Sequence, residues 1–362
     1  MKMIELGSEF YVGSTPMTGG GVSSLLPAHM DTRFALCGRT ALELVLRDAV
    51  KQWRIRSAYL PSYCCRTMIE PFISKGIDVF FYDVFFAADG IVCDFDDRNG
   101  HDLVFMMDYF GFLNTETVRR AKEQKNRGKC VIYDATHSLF CTSVDYSCCD
   151  YVFGSFRKWF DVNAGFCSKH GVWLTFPKLI ENLSYSATRN HAFQEKQAYI
   201  SGEAVDKNRF LQAFGHAEES LETDYLGYGP DTVSLHKLCS VDVDFVRSRR
   251  RENAAWLIRT IEELCSAHLR SPFHFVGESE CPLFVPVEVV SEYRMPLRKA
   301  LIAENIYLPI HWPLSSLHRV NDSSCGIYAT ELSFLCDQRY CPEQLEKMTD
   351  ITTDFFESRN IL

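Results

Sequence analysis

The chain has 362 residues, 46% hydrophobic and 23% charged, an ordinary balance for a soluble globular protein. That length suggests two domains, or one large α/β domain with an appendage. A net charge of −9, with no long basic run, argues against duplex nucleic acid as the main partner.

The fifteen cysteines are odd in number and scattered, and neighbours such as Cys64-Cys65 and Cys148-Cys149 are poorly placed to bridge each other. Without a C-x-x-C or a paired Cys/His spacing, no metal site is expected, and free thiols in a reducing cytoplasm are the better reading. The start, MKMIELGSEF, lacks the apolar core of a signal peptide, and no apolar run is long enough to span a bilayer. The expectation is a soluble, cytoplasmic protein with no membrane partner.

Residues 1–33 contain a Gly/Ser/Thr/Pro-rich piece, Gly13 to Ser24, that reads as an N-terminal arm or a loop over a site, with disorder as the alternative. No G-K-[ST] follows it and no strand precedes it, so it is not a phosphate loop. Next comes FALCGRTALELVLRDAVKQW, in which Ala41, Leu42, Val45, Leu46, Ala49 and Trp53 recur at helical spacing. Its first turn is Gly38-Arg39-Thr40. A glycine followed by a hydroxyl at a helix start suits an anion, because amides and dipole both point at it. The alternative for Thr40 is a plain cap.

A strand, Ala58 to Leu60, ends at Pro61, and a helix follows with Met68, Ile69 and Phe72 inward. Further strands are Ile77 to Val84 and Leu103 to Met107, and Asn114 or Thr115 caps a polar helix through Asn126. Strands alternating with helices of this length imply βαβ units and a mostly parallel sheet. No G-x-G-x-x-G is present, which disfavours a dinucleotide fold.

The most informative stretch is KCVIYDATHSLFCTSVDYSCCDYVFGSFRKWFDVNAGFCSKHG, Lys129 to Gly171. One short apolar run, Cys130 to Tyr133, ends on Asp134 with His137 just beyond. A second, Tyr151 to Phe153, ends in Gly154-Ser155 and then Lys158. Short runs bounded by polar residues read as buried parallel strands, whose carboxyl ends form the ligand-binding rim of an open α/β sheet. An acid, an imidazole, a hydroxyl and a lysine then converge there. A lysine in a mostly apolar pocket can attack a carbonyl to form a Schiff base. An aldehyde cofactor with a pyridine nitrogen needs a carboxylate opposite that nitrogen, and its phosphate needs hydroxyls and helix-start amides. Asp134, Lys158 and Ser155 fit pyridoxal phosphate (PLP) in that order. Taken singly, the Asp reads as a cap and the Lys as solvated; only the conjunction carries the assignment.

Beyond Lys158, GFCSKHGVWL reads as a hairpin turning at Lys169-His170-Gly171, and 178–222 as polar helical sequence. LGYGPDTVS is a loop. A helix from about Asp242 to Ala267 carries Arg247-Arg249-Arg250-Arg251, expected on a solvated face. CPLFVPVEVV reads as a strand, RMPLRKALIAEN as a helix, IYLPIHWP as a strand leaving at Pro309, TELSFLCDQRY as a strand and turn, and PEQLEKMTDITTDFF as a closing helix. His311 is a candidate substrate contact, or a strand-end histidine satisfied by backbone. Arg339 could clamp a donor carboxylate bidentately, with a surface ion pair as the alternative. The expected division is an arm at 1–33, a large domain at 34–240 and a small α/β domain at 241–362.

The pieces CGRTALELVL, LPSYCC, GIDVFFYDV, DYFGFLNTE, VIYDATHSLF, GSFRKW, LPIHWP and LSFLCDQRY together resemble the DegT/DnrJ/StrS-type sugar aminotransferases, which are fold type I PLP-dependent transferases. The pieces occur in that family's order from about Phe34 onward. The resemblance implies an α/β fold with a mostly parallel central sheet flanked by helices and a smaller C-terminal domain. It implies that Lys158 carries the cofactor and shuttles the proton. Asp134 would pair with the pyridine nitrogen, His137 would lie near the ring hydroxyl and Thr136 under one ring face. Gly38, Arg39, Thr40 and Ser155 would hold the phosphate. It also implies a homodimer with shared sites, glutamate or glutamine as amino donor, and a nucleotide-linked keto-deoxysugar as acceptor.

Several positions depart from the family pattern. The second ring face has Cys65 or Tyr63, and Tyr63 is alternatively a substrate contact. Asp108 stands where many members have histidine, the loop toward the neighbour reads Gly-Tyr-Gly-Pro, and Ser155 and Lys158 are closer together than usual. Two other readings remain at this point. A dehydrating relative is disfavoured because such enzymes have histidine where Lys158 stands. A PLP-fold protein without transaminase activity, binding or regulatory in role, fits the altered positions.

Overall fold

The computed structural model describes residues 5–96, 100–264 and 267–359. Leu103–Met107, Cys130–Asp134 and Tyr151–Ser155 are strands buried at every position. Strands covered on both faces need apolar side chains on both, so the runs are continuous rather than alternating. They lie in an eight-stranded sheet ordered Asp31–Ala35, Gly165–Lys169, Tyr151–Ser155, Cys130–Asp134, Leu103–Met107, Ser57–Pro61, Asp78–Ala87 and Gly90–Asp94. The five from Tyr151–Ser155 to Asp78–Ala87 run parallel. The outer pairings are antiparallel.

The helix Gly38–Gln52 buries Leu42, Val45, Leu46 and Ala49, and Arg66–Ser74 buries Met68, Ile69 and Phe72. Each large aliphatic side chain buried this way contributes about 1.5–3 kcal/mol. Asn114 caps Thr115–Asn126 by accepting from the Glu116 amide. The C-terminal part has its own antiparallel sheet, with Val285–Val289 between Leu269–Arg270 and Glu331–Phe334. The helices Val243–Glu263, Ser291–Ala303 and Pro342–Glu357 accompany it. A helix with no counterpart in the sequence reading, Asp322–Thr330, docks this part onto the large sheet: Ser324 donates to Asp83 and Tyr328 to the Ser62 carbonyl.

Four sequence expectations need correction. The strand Gly165–Lys169 does turn at Gly171, where φ is +80°, but its two neighbours are Asp31–Ala35 and Tyr151–Ser155. With both edges filled it cannot also pair with the GVWL segment, so no hairpin forms. The expected arm ends earlier than residue 33, because Asp31–Ala35 is the sheet's edge strand.

The glycine-rich piece within the arm packs closely. The Gly19 and Gly21 amides donate to the Ser240 and Val241 carbonyls, and a Cβ on Gly21, at φ +73°, would come within 2.5 Å of the Leu238 carbonyl oxygen. Only glycine admits that approach.

IYLPIHWP pairs only at Ile306–Tyr307, parallel to Leu6–Gly7 of the arm. The arginines of Val243–Glu263 do not form a solvated face. Arg250 is fully buried over Trp159, donating to Gln338 and the Leu283 carbonyl, while Arg247 and Arg251 donate to backbone carbonyls. Residues 265 and 266 of the expected helix lie outside the described residues.

Candidate active site

Two strand ends build the site. Cys130–Asp134 delivers Asp134 at its carboxyl end, and the turn beyond it carries Thr136 and His137. Tyr151–Ser155 ends at Ser155, and one 3₁₀ turn, Phe156–Lys158, swings Lys158 outward while Phe156 anchors it in the core. Trp159 ties the two turns together, its indole N–H donating to the Thr136 carbonyl at 2.8 Å.

Gly38, Arg39, Cys65, Asp134, Thr136, His137, Ser155 and Lys158 line one cavity of about 250 Å³. Asp134 Oδ1 accepts from the Thr136 amide at 2.8 Å. Burial, opposed only by the hydroxyl and amide of Thr136, pushes its carboxyl up to about 6. His137 Nδ1 accepts from the Phe110 amide at 3.1 Å, which leaves the ring proton on Nε2. Burial, with His311 and Lys158 nearby, holds that imidazole well below its ordinary value, so the ring is neutral.

Lys158 makes no hydrogen bond or ion pair among the described residues. Its side chain is exposed along the cavity rather than enclosed in the apolar pocket that the sequence argument expects. The Ser155 hydroxyl also has no protein partner among the described residues. Cys37 gives the helix Gly38–Gln52 no side-chain cap, so its first-turn amides face the cavity without a competing side-chain oxygen. A Cβ on Gly165 would lie 2.6 Å from the Cys37 carbonyl carbon, so glycine there lets this helix start sit against the strand ends.

Other candidates lie elsewhere. The Thr40 hydroxyl donates to the Tyr225 carbonyl and does not line the cavity. Arg39 lines it, but its guanidinium is held by the Leu221 carbonyl and Glu222. Of the two residues considered for the second ring face, Cys65 reaches the cavity, whereas Tyr63 is fully buried among Tyr109, Trp312 and Tyr328. Asp108 turns away from the cavity. It accepts from the Tyr133 hydroxyl and the Asn114 amide, and burial raises its carboxyl to about 6.

A second cavity, of about 350 Å³, adjoins the first and shares Arg157 and Lys158 with it. His311 and Arg339 are found here. Arg339 is neither a surface residue nor a free clamp: its fork is closed on Asp337 at 2.8 and 2.9 Å, and Nη1 donates to the Gly7, Ser8 and Glu9 carbonyls. Arg298 lines the same cavity, its Nε donating to the Leu308 carbonyl and its Nη atoms without a partner among the described residues.

Sequence reasoning missed Arg298, Arg157 and Trp312. Trp312 lines the first cavity and stacks on His137, ring centroids 5.4 Å apart. Arg157 reaches Glu218, with its Nε buried and without a partner among the described residues. The signals available were adjacency to His311 for Trp312 and to Lys158 for Arg157.

No protein-family model and no curated protein matches the chain. Its fold, however, matches solved aminotransferases. Helicobacter pylori PseC, an aminotransferase involved in pseudoaminic acid biosynthesis, is similar at TM-score 0.63 and 13% identity, covering 97% of this chain and 94% of PseC. DesI, solved in the presence of its TDP-sugar product, gives 0.63 at 14% identity, with 98% and 95% covered. NtdA from Bacillus subtilis, solved with the cofactor PMP bound, gives 0.58 at 12% identity, with 90% and 73% covered. Likeness at this identity establishes a shared fold: a large, mostly parallel sheet flanked by helices with a smaller C-terminal α/β part.

Proposed function

We propose that this chain is a PLP-dependent aminotransferase that moves an amino group from an amino acid, glutamate or glutamine, to a keto acceptor. The observation that carries the reading is the single cavity lined by Asp134, Thr136, His137, Ser155 and Lys158, with the lysine amine unengaged among the described residues. The residues fit the cofactor on their own chemistry. Asp134 is a buried carboxylate with no ion pair among the described residues, suited to a protonated pyridine nitrogen. The Ser155 hydroxyl and the uncapped helix start suit a phosphate dianion.

When bound, PLP supplies an electron sink for the carbon that loses its proton. The protein does the rest. Asp134 would keep the pyridine nitrogen protonated, and the His137 Nε2–H would be a donor for a ring oxygen. Lys158 would supply the amine that holds the cofactor and the base that carries the proton between the two reacting carbons. Trp312 covers His137 and limits water on that side.

Arg298 replaces Arg339 as the residue for the donor's carboxylate, since its Nη atoms have no partner among the described residues. We assign the acceptor to the nucleotide-linked keto-deoxysugars. The TDP-sugar product of DesI and the sequence motifs support that choice. The cofactor belongs to a large domain that begins with the edge strand Asp31–Ala35 and runs to residue 240, and the substrate cavity is completed by a small one at 241–362. We further propose a homodimer with shared sites. The exposed apolar residues Ile180, paired with Tyr228 of the Gly-Tyr-Gly-Pro loop, and Leu226, next to that loop, support it. A cytoplasmic setting agrees with the cysteines, which are free throughout the described residues.

The test is a half-reaction. Protein loaded with PLP and mixed with glutamate should lose its visible absorbance band within one turnover. A band unchanged by glutamate, glutamine and other amino acids contradicts transamination and favours the binding or regulatory reading.

A further inference from the structure

His311 and His137 lie edge to face, ring centroids 5.7 Å apart, and the surrounding hydrogen bonds give them opposite tautomers. His137 Nδ1 accepts from a backbone amide, so its proton sits on Nε2. The case of His311 is set by two residues of the small sheet. Glu331 is fully buried, and its Oε2 accepts from the His311 backbone amide at 2.7 Å. Ser333 donates its one hydroxyl proton to Glu331 Oε1. The contact of 2.9 Å between Ser333 Oγ and His311 Nδ1 can therefore be filled only by an Nδ1–H donating to the hydroxyl oxygen.

That leaves Nε2 of His311 with its lone pair free. No protein group takes it among the described residues, and His311 lines the cavity that also holds Lys158 and Arg298. Phe110 and Phe284 pack on the ring and fix its plane. The relay also gives Tyr63 a place, since its hydroxyl lies beside Glu331, behind the histidine rather than against the cofactor.

We propose that His311 is a catalytic base of the substrate cavity, with Ser333 and Glu331 as positioning residues that hold it in the Nδ1–H tautomer. The proposal rests on the aminotransferase reading and names a proton acceptor within it. An amino donor arrives as an ammonium ion and cannot act as a nucleophile until it sheds a proton. The donor's N–H bond breaks, the proton joins Nε2 of His311, and the electron pair stays on the amine nitrogen. The imidazolium that results is balanced by Glu331 through Ser333. In the acceptor half-reaction Nε2 gives a proton back to the amine of the aminated product as that product leaves.

The test begins without cofactor. In protein labelled with ¹⁵N-histidine, long-range ¹H–¹⁵N correlation reads each ring's tautomer, and the variants His311→Asn and His137→Asn assign the two signals among the eleven histidines. The expected result is a protonated Nδ1 and pyridine-type Nε2 for His311, the reverse for His137, and loss of the His311 preference alone in Ser333→Ala. A His311 proton on Nε2, or a tautomer indifferent to Ser333→Ala, overturns the proposal.

The kinetic arm uses His311→Asn, which keeps a donor toward Ser333 but has no base. Its half-reaction with glutamate should slow by about 10²–10⁴-fold while borohydride still labels Lys158. A labelled Lys158 with an unslowed half-reaction overturns the role of His311. Failure of the label in the unsubstituted protein would instead strike the parent reading.

Discussion

Trp312 lies nearly flat on His137, ring centroids 5.4 Å apart and planes 24° from parallel, so the C-terminal part of the chain covers a cavity built by the large sheet. Stacked aromatic pairs contribute about 0.5–1.5 kcal/mol beyond their buried area. Trp312→Ala should therefore weaken PLP binding roughly 2- to 10-fold by absorbance titration, with the melting temperature little changed. Unaltered affinity would mean that the covering ring plays no part in holding the cofactor.

Asp134 ties binding to stability. Its carboxyl titrates near 6 in the fold, against an ordinary value of 3.8. Between those values the folded chain holds a proton that the unfolded chain has released. The group therefore costs stability as pH rises through that window, and the cost is fully present above it. Asp134→Asn should raise the cofactor-free protein's unfolding free energy at pH 7.5 by up to about 3 kcal/mol, with the gain vanishing near pH 4. The same variant should lose cofactor affinity. A variant less stable than the parent at pH 7.5 would contradict the assignment of a buried acid whose burial outweighs its hydrogen bonds from Thr136.

The two cavity arginines should part company under substitution. Arg339 and Asp337 form a buried ion pair, each 3% exposed, and removing one partner leaves the other charge uncompensated. Arg339→Met should cost about 3–5 kcal/mol in a denaturant melt. Arg298→Met should leave the melt intact and raise KM for the amino donor about 10- to 100-fold, the scale of lost charge-assisted hydrogen bonds. An unchanged KM would remove Arg298 from donor recognition.

How far the sequence carries is clear from particular residues. That Asp134 and Lys158 share a rim is legible, because Asp134 ends one fully buried strand and Lys158 lies one turn beyond another, and polar residues there stand out against the apolar run. The burial of Arg250 is not. Four nearby arginines normally mark a solvated face, and only the tertiary fold supplies Trp159, Gln338 and the Leu283 carbonyl that let this one be buried. The fork of Arg339 is closed by a carboxylate two residues earlier, a local pairing that the string CDQRY contains but does not announce. Trp312 and Arg298 reach the cavities only through docking of the C-terminal part, which no periodicity encodes. Gly165–Lys169 reads as a strand from its own residues, but its partner on one side, Asp31–Ala35, lies more than a hundred residues away, and local sequence points instead to the GVWL segment.

The central claim is that the Lys158 amine holds the aldehyde of a cofactor braced by Asp134. It is tested most directly by loading the purified protein with PLP, reducing it with borohydride and mapping the peptides. The account predicts one pyridoxyl-lysine, on the peptide containing Ser155 and Lys158, and none in Lys158→Ala. A label on any other lysine, or no label in protein that has bound PLP, would contradict it.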